Sequence, residues 1–309
     1  MNNNMNKEIT LSVQGLRKTI GKKEIIHGID FELHRGEVFG FLGPNGAGKT
    51  TTIRMLVGLI QPTAGTIEIC GYDLKKNFTE AMENLGCIVE NPELYPYLSG
   101  WENLQLFANM LPKIGIERMN EVVELVGLQQ RINDKVQTYS LGMRQRLGIA
   151  QALLGRPKVL ILDEPTNGLD PSGIREMRQF IRFLAEQEGL SVFVSSHLLS
   201  EIQLMCDRVA IISKGQVLQV GEVRELLGQQ ERLLWKLSPL EKGTAILEKH
   251  TEVTVTEEGQ VITAYVDGHQ TGLWIQQLVE AGVMVQEMNR QVPTLEDLFL
   301  HITGGETID

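Results

Sequence analysis

Gly43-Pro44-Asn45-Gly46-Ala47-Gly48-Lys49-Thr50 decides the fold. The spacing is G-x-x-x-x-G-K-[ST]; an apolar run, Val38 to Leu42, precedes it and a helical pattern, Thr50 to Leu59, follows. Such a turn lets successive backbone N–H groups curl around a phosphate, and the partly positive end of the following helix faces the same anion. Lys49 is expected to bring a point charge to the outer phosphates, the Thr50 hydroxyl to ligate Mg²⁺, and Thr51 to stand beside them in the first helical turn. The bland alternative is a glycine-rich turn without a ligand. Strand, lysine, threonine and helix in register weigh against it.

Val159-Leu-Ile-Leu162-Asp163-Glu164-Pro165 is a second decisive stretch, an apolar strand ending in two carboxylates. A buried strand that delivers paired acids to its carboxyl end puts them in the crevice where open α/β sheets bind ligands. Asp163 is then a Mg²⁺ ligand, direct or through water, and Glu164 a general base that polarises the attacking water. Alone, the pair would read equally well as acids capping the next turn.

Further apolar runs, Val192 to Ser195 and Val209 to Ile212, alternate with helical patterns at Ile174 to Gln187 and Leu198 to Cys206. The expectation is an α/β domain with a largely parallel sheet over residues 1–225. Residues 81–155 carry helical periodicity, in Glu102 to Met110 and Glu117 to Val126, and are expected to form a helical insertion. From 226 to 309 the order reads strand, helix, strand, strand, helix, strand, with the two central strands joined through Glu258-Gly259 and a last helix at Thr294 to Ile302. That is a small α+β domain of split βαβ, ferredoxin-like pattern, with Trp235 and Trp274 in its core.

Composition narrows the function classes. With 309 residues and 42% apolar content the chain can bury a large core, and 29 Lys+Arg against 39 Asp+Glu give a net charge of -10. That balance disfavours a phosphate backbone as partner, so no nucleic acid is expected. Cys70, Cys87 and Cys206 are far apart and lack metal-ligand spacing, as reduced thiols of a cytosolic protein would. MNNNMNKEIT has no apolar signal core, and nowhere do the roughly 18 consecutive apolar residues of a membrane span occur. A role at a membrane would need a docking partner.

A phosphate loop and an acidic strand are shared by kinases, GTPases and many ATPases. Tyr139-Ser140-Leu141-Gly142-Met143-Arg144-Gln145-Arg146 is more discriminating, because it resembles the LSGGQ signature of ABC ATPases. Asn167-Gly168-Leu169-Asp170 is similar to that family's D-loop, and His197, after the run Ser191 to Ser196, to its switch histidine. Closer still, Glu90-Asn-Pro-Glu-Leu-Tyr-Pro-Tyr-Leu-Ser-Gly-Trp-Glu-Asn-Leu104, the degenerate signature and the ending Pro293 to Leu300 resemble the bacitracin and lantibiotic type of export ATPase.

The resemblance implies an ATP-hydrolysing, Mg²⁺-dependent subunit of an ABC transporter. It would work as a homodimer, or a heterodimer with a second ABC subunit, beneath an integral membrane permease carried on another chain. Its place would be cytoplasmic, peripheral on the inner face of the cell membrane. Its cargo would be a peptide antibiotic, a drug or an ion. The signature, Ser140, Leu141, Gly142 and Met143, and Asp170 would then face the nucleotide held by the other subunit, and His197 the γ-phosphate. Physics agrees with the first of these: Ser140 can cap a helix whose amino end attracts anions, and Gly142 permits close backbone approach.

Two positions depart from the family pattern. Ile20 stands where many relatives carry an aromatic that stacks on adenine, and Glu90 where the Q-loop glutamine is usual, which makes it a candidate Mg²⁺ ligand. Tyr95 and Trp101 nearby read first as packing residues and, by family analogy, as contacts for a permease helix. The alternatives are an ABC ATPase that clamps nucleic acid, whose long heptad segments are missing here, and a P-loop kinase or GTPase, which would leave the signature and D-loop unexplained.

Overall fold

Two long strands open the structure, β1 (Ile9–Ile20) and β2 (Lys23–His34), an antiparallel hairpin that buries Leu11, Val13, Ile29, Phe31 and Leu33. The structure is a computed structural model, and it describes residues 8–228, 231–256, 259–265, 267–291 and 294–303. β3 (Val38–Leu42), buried at every residue, runs into the glycine-rich loop and α1 (Lys49–Leu56). β4 (Ala64–Ile69) and the short β5 (Tyr72–Asp73) complete a sheet of order β2-β1-β4-β5, antiparallel at each pairing.

Next come α2 (Phe78–Glu83), β6 (Leu85–Ile88), α3 (Gly100–Met110), α4 (Ile116–Leu125) and α5 (Leu141–Leu153). They are followed by β7 (Val159–Asp163), α6 (Pro171–Glu186), β8 (Ser191–Ser196), α7 (Leu199–Met205), β9 (Arg208–Ser213), β10 (Gln216–Glu222) and α8 (Val223–Gly228).

The second sheet has the order β10-β9-β3-β8-β7-β6 and is parallel from β9 through to β6. Its central strands are buried on both faces, which is why they read as unbroken apolar runs. Register sets the functional end: Ser196 lies opposite Leu42, and Ser195 opposite Asp163. The strands therefore stop together, where ligands of open sheets bind. Phe31 from β2, Phe39 and Phe41 from β3 and Phe193 from β8 pack with ring centroids 5.4 to 6.0 Å apart. This cluster locks the antiparallel sheet onto the strand that feeds the loop.

Two expectations need correction. Residues 81–155 are not helical throughout: Leu85–Ile88 is a strand that pairs with β7, so the helical part begins beyond it, and an apolar run of four cannot be told from helix by periodicity. The antiparallel sheet of β1, β2, β4 and β5 has no counterpart in the sequence reading.

The chain separates into two compact units, and the division falls at Gly221 and Glu222, so residues 222–225, expected with the first region, go with the second. The second unit contains α8 together with β11 (Arg232–Ser238), α9 (Leu240–Leu247), β12 (Val253–Val255), β13 (Val261–Ala264), α10 (Gly268–Glu280), β14 (Met284–Gln291) and α11 (Leu295–Thr303). Its sheet order is β12-β13-β11-β14, antiparallel at every pairing, the split βαβ arrangement. Trp235 and Trp274 are both in its core, and Trp235 Nε1 donates to the buried Thr263 Oγ1 at 2.9 Å. Glu258, in the expected β12–β13 join, and Pro293 lie outside the described residues.

Candidate nucleotide site

The loop between β3 and α1 is built by close approach. A Cβ on Gly43 would lie 2.3 Å from the Ile212 carbonyl oxygen, so only glycine lets the loop lie against β9. Gly48, with φ at 111°, precedes α1 in a left-handed conformation and offers no side-chain cap, so the amides of the first turn are left for a ligand. Asn45 and Gly46 are exposed at the tip; Pro44, Thr50 and Thr51 are half-buried; Ala47 donates its N–H to the Pro44 carbonyl at 3.1 Å.

Lys49 is buried, and its ammonium donates to the Gly43 carbonyl at 2.6 Å and the Pro44 carbonyl at 3.4 Å. Burial pushes its pKa below the ordinary 10.5, while the carboxylates of Glu164 and Asp163 pull it back up.

The acids stand at the end of β7 as expected. Asp163 is buried, and the wholly buried Ser195 hydroxyl donates to its Oδ1. Glu164 has a left-handed backbone, φ 50°, a conformation that disfavours a side chain. Its N–H is fixed by the Ser195 carbonyl at 3.2 Å and the Ser195 hydroxyl at 3.1 Å. One carboxylate oxygen, Oε1, is 4.0 Å from Lys49 Nζ; the other, Oε2, is 2.8 Å from His197 Nδ1. The carboxylate makes Nδ1 the donor and leaves Nε2 for a ligand. Sequence reasoning missed Ser195, though in a parallel pair the residue opposite Asp163, two before His197, could have been named once β7 and β8 were taken as neighbours.

The signature residues form a separate surface. Ser140 caps α5, its Oγ accepting the Met143 N–H at 3.3 Å, and Asp170 caps α6, its Oδ1 accepting the Gly173 N–H at 3.1 Å. Arg146 joins the two helices: it donates to the Val126 carbonyl, lies 3.6 Å from the Glu176 carboxylate and stands 5.1 Å over the Phe180 ring. Ser140, Leu141, Gly142, Met143 and Asp170 consequently line one shallow cavity of about 370 Å³. Next to Gly142 a Cβ would find nothing nearer than Leu169 at 3.8 Å, so its backbone is open to an approaching partner.

Glu90 and Ile20, the two departures from the family pattern, have the following surroundings. Glu90 does not join the Asp163 cluster; Arg54 Nη2 donates to its Oε1 at 2.6 Å, and a cation within hydrogen-bond reach is a better neighbour for a carboxylate than two further acids. Among the described residues no three His, Cys, Asp or Glu side chains converge as a metal site. Ile20 is 55% exposed at the end of β1. Tyr95 and Tyr97 pack on each other with centroids 5.8 Å apart, and Trp101 is half-buried in the first turn of α3.

The profile of the family described as "ABC transporter" matches residues 26–167, which contain the loop, the signature and both acids. An uncharacterized ABC transporter ATP-binding protein of Bacillus subtilis, YhcH, is 47% identical over 95% of this chain and 96% of its own length. The chain belongs to the ABC transporter ATP-binding proteins. Within this family the bacitracin transport ATP-binding protein BcrA of Bacillus licheniformis is 43% identical over 95% of this chain and 97% of its own. The solved structure of cbiO1 from Clostridium perfringens, part of the ABC transporter complex cbiONQ, superposes with a TM-score of 0.67 at 25% identity, covering 79% of this chain and 97% of that one. The ABC ATPase activity, ATP hydrolysis coupled to transport, follows from membership. No described helix is long and apolar enough to cross a membrane. Membership among the ABC ATP-binding subunits implies a separate membrane permease as partner.

Proposed function

We propose that two copies of this chain, or one copy with a related subunit, close on ATP and drive export through a permease at the inner face of the cell membrane. The observation that carries this is the chain of contacts Lys49–Glu164–His197 beside a loop whose helix end is uncapped. Gly43 to Thr51 cradle the phosphates, with Lys49 as the point charge. Glu164, oriented through Oε2 by His197, takes the proton of the attacking water, and His197 keeps Nε2 for the terminal phosphate. Ser140 to Met143 and Asp170 meet the nucleotide of the opposite subunit, because their surface is open and carries a helix amino end.

The residues fit a magnesium ion: a hydroxyl at Thr50, a buried carboxylate at Asp163 and an oxygen-only donor set are what that cation takes. Bound there it would neutralise charge developing on the phosphate oxygens. Thr50 and Asp163 would hold it, and Glu90 would join on release from Arg54. Ile20, exposed at the end of β1, would lie beside the base.

The Bacillus licheniformis relative is a bacitracin transport ATP-binding protein, which supports a peptide antibiotic or another drug as the cargo, with an ion as the remaining member of the class. Nothing observed favours a nucleic-acid substrate, and a net charge of -10 opposes one.

Glu164→Gln tests the assignment. The variant is expected to bind ATP, to turn over about 10² to 10⁴ times more slowly, as loss of a general base does, and to elute as a dimer only with Mg-ATP. Normal phosphate release would remove Glu164 from the role.

A further inference from the structure

Glu90 and Arg54 are placed in a way that the roles above do not use. Ile88, the last residue of β6, pairs with Leu162 of β7 in parallel register. Glu90, two residues beyond Ile88, therefore leaves the sheet at the same end and level as Glu164, two beyond Leu162. Its backbone is left-handed, φ 64°, a second acid held in that disfavoured conformation at this end of the sheet. Its carboxylate is turned onto α1, where Arg54 Nη2 donates to Oε1 at 2.6 Å. Arg54 and Thr50 are four residues apart in α1, so they share one face, their backbone positions separated by about one 5.4 Å turn. Neither side chain, of Arg54 or of Glu90, has another hydrogen-bond or ion-pair partner among the described residues.

We propose that Arg54 is a positioning residue that parks Glu90 one helical turn short of the metal side of α1, so that guanidinium and metal compete for one carboxylate. This rests on the reading of Thr50 and Asp163 as the Mg²⁺ site. The pair has the properties such a competition needs. It is close enough to hold the carboxylate, yet the two side chains are 47% and 60% exposed, so solvent screens their attraction and a divalent cation can displace it. A glutamine, the usual residue of the family at this position, would carry no charge for Arg54 to hold. The two residue choices thus belong together: the carboxylate strengthens the metal site when metal is present, and the arginine keeps it from repelling phosphate when metal is absent.

The test is Mg²⁺ titration of the binding of a non-hydrolysable ATP analogue to the full chain, followed by calorimetry. The proteins are wild type, Arg54→Gln, Arg54→Lys, Glu90→Gln and the Arg54→Gln/Glu90→Gln pair, each checked for fold by circular dichroism. Freed from its clasp, Glu90 should bind metal more readily, and Arg54→Gln should lower the half-saturating Mg²⁺ by about two- to fivefold, which is what an exposed ion pair can supply. In the Glu90→Gln background the same arginine change should move it by less than about 1.5-fold, and Arg54→Lys, which keeps the charge, should stay within about twofold of wild type. An equal shift in both backgrounds, no shift in either, or a lysine variant displaced as far as the glutamine variant overturns the proposal. Wild-type binding that ignores Mg²⁺ altogether would instead overturn the metal reading on which it rests.

Discussion

Ser195→Ala tests whether the carboxylates at the end of β7 are held by the neighbouring strand. The Ser195 hydroxyl is wholly buried, donates to Asp163 Oδ1 and accepts the Glu164 N–H at 3.1 Å. Ser196, next in the chain and 2% exposed, is an internal control: its Oγ accepts the Leu198 N–H at 2.9 Å, a bond between neutral groups. A hydrogen bond to a charged group contributes about 1.5–3 kcal/mol and a neutral one about 0.5–1.5 kcal/mol. Ser195→Ala is accordingly expected to destabilise the first unit by about 2 kcal/mol, and Ser196→Ala by about 1 kcal/mol.

Turnover should separate the two variants further. The Glu164 backbone, at φ 50°, stays left-handed because its N–H is bonded to both the carbonyl and the hydroxyl of Ser195. Losing one of those bonds should loosen Glu164, the proposed general base, and about 1.4 kcal/mol of lost positioning corresponds to a tenfold fall in kcat. Urea denaturation of the protein without nucleotide gives the stabilities, and phosphate release at saturating Mg-ATP gives kcat. If Ser195→Ala were no less stable than Ser196→Ala and turned over normally, Ser195 would be packing only, and the argument that β8 positions the β7 acids would fail.

Burial lowers the Lys49 pKa below 10.5, so between that lowered value and 10.5 the unfolded chain holds more protons on this lysine than the folded one. Stability should therefore rise with pH across that window, with the penalty for burying the charge in full force below it. Lys49→Met should lack this rise; a pH-independent difference between the two proteins in urea denaturation would show that burial does not dominate at Lys49. Ile20 is exposed at the end of β1 and, as the proposed base contact, would offer no ring to stack on. Ile20→Tyr is expected to tighten ATP binding by about 1–3 kcal/mol, the value of a base stack, and an unchanged calorimetric affinity would place the base elsewhere.

Much of the site was legible because its residues sit at the ends of strands buried on both faces. Such strands are apolar without interruption, so Val38 to Leu42 and Val159 to Leu162 announce both themselves and the polar residues that end them. One helix amino end was legible for a related reason: Ser140 is a short polar side chain placed just before a helix, and it proves to be a cap. Asp170, read only through its resemblance to the D-loop, is also a cap. β1 and β2 were not legible, because their register shifts break the alternation a strand should show. β6 is too short for any periodicity.

The partners of the site residues were hidden for a different reason. Lys49, Asp163, Glu164 and His197 each follow a local pattern, but what holds them is set by register between segments far apart in sequence: Ser195 against Asp163 is a contact across 32 positions, and Arg54 against Glu90 one across 36. A single sequence gives the type of each side chain and, through its local pattern, the end of the element it occupies. Only the neighbour order of the strands says which two ends coincide. Once β6, β7 and β8 are known to lie side by side and parallel, Glu90, Glu164 and His197 must emerge at one edge. What remains for the structure to decide is which carboxylate turns toward the loop. Glu164 does, held by His197 at 2.8 Å, and Glu90 does not, because Arg54 is within reach on the same helix that carries Lys49. The different placements of the two carboxylates are thus set by the side chains that hold them, since both backbones leave the sheet in the same left-handed conformation.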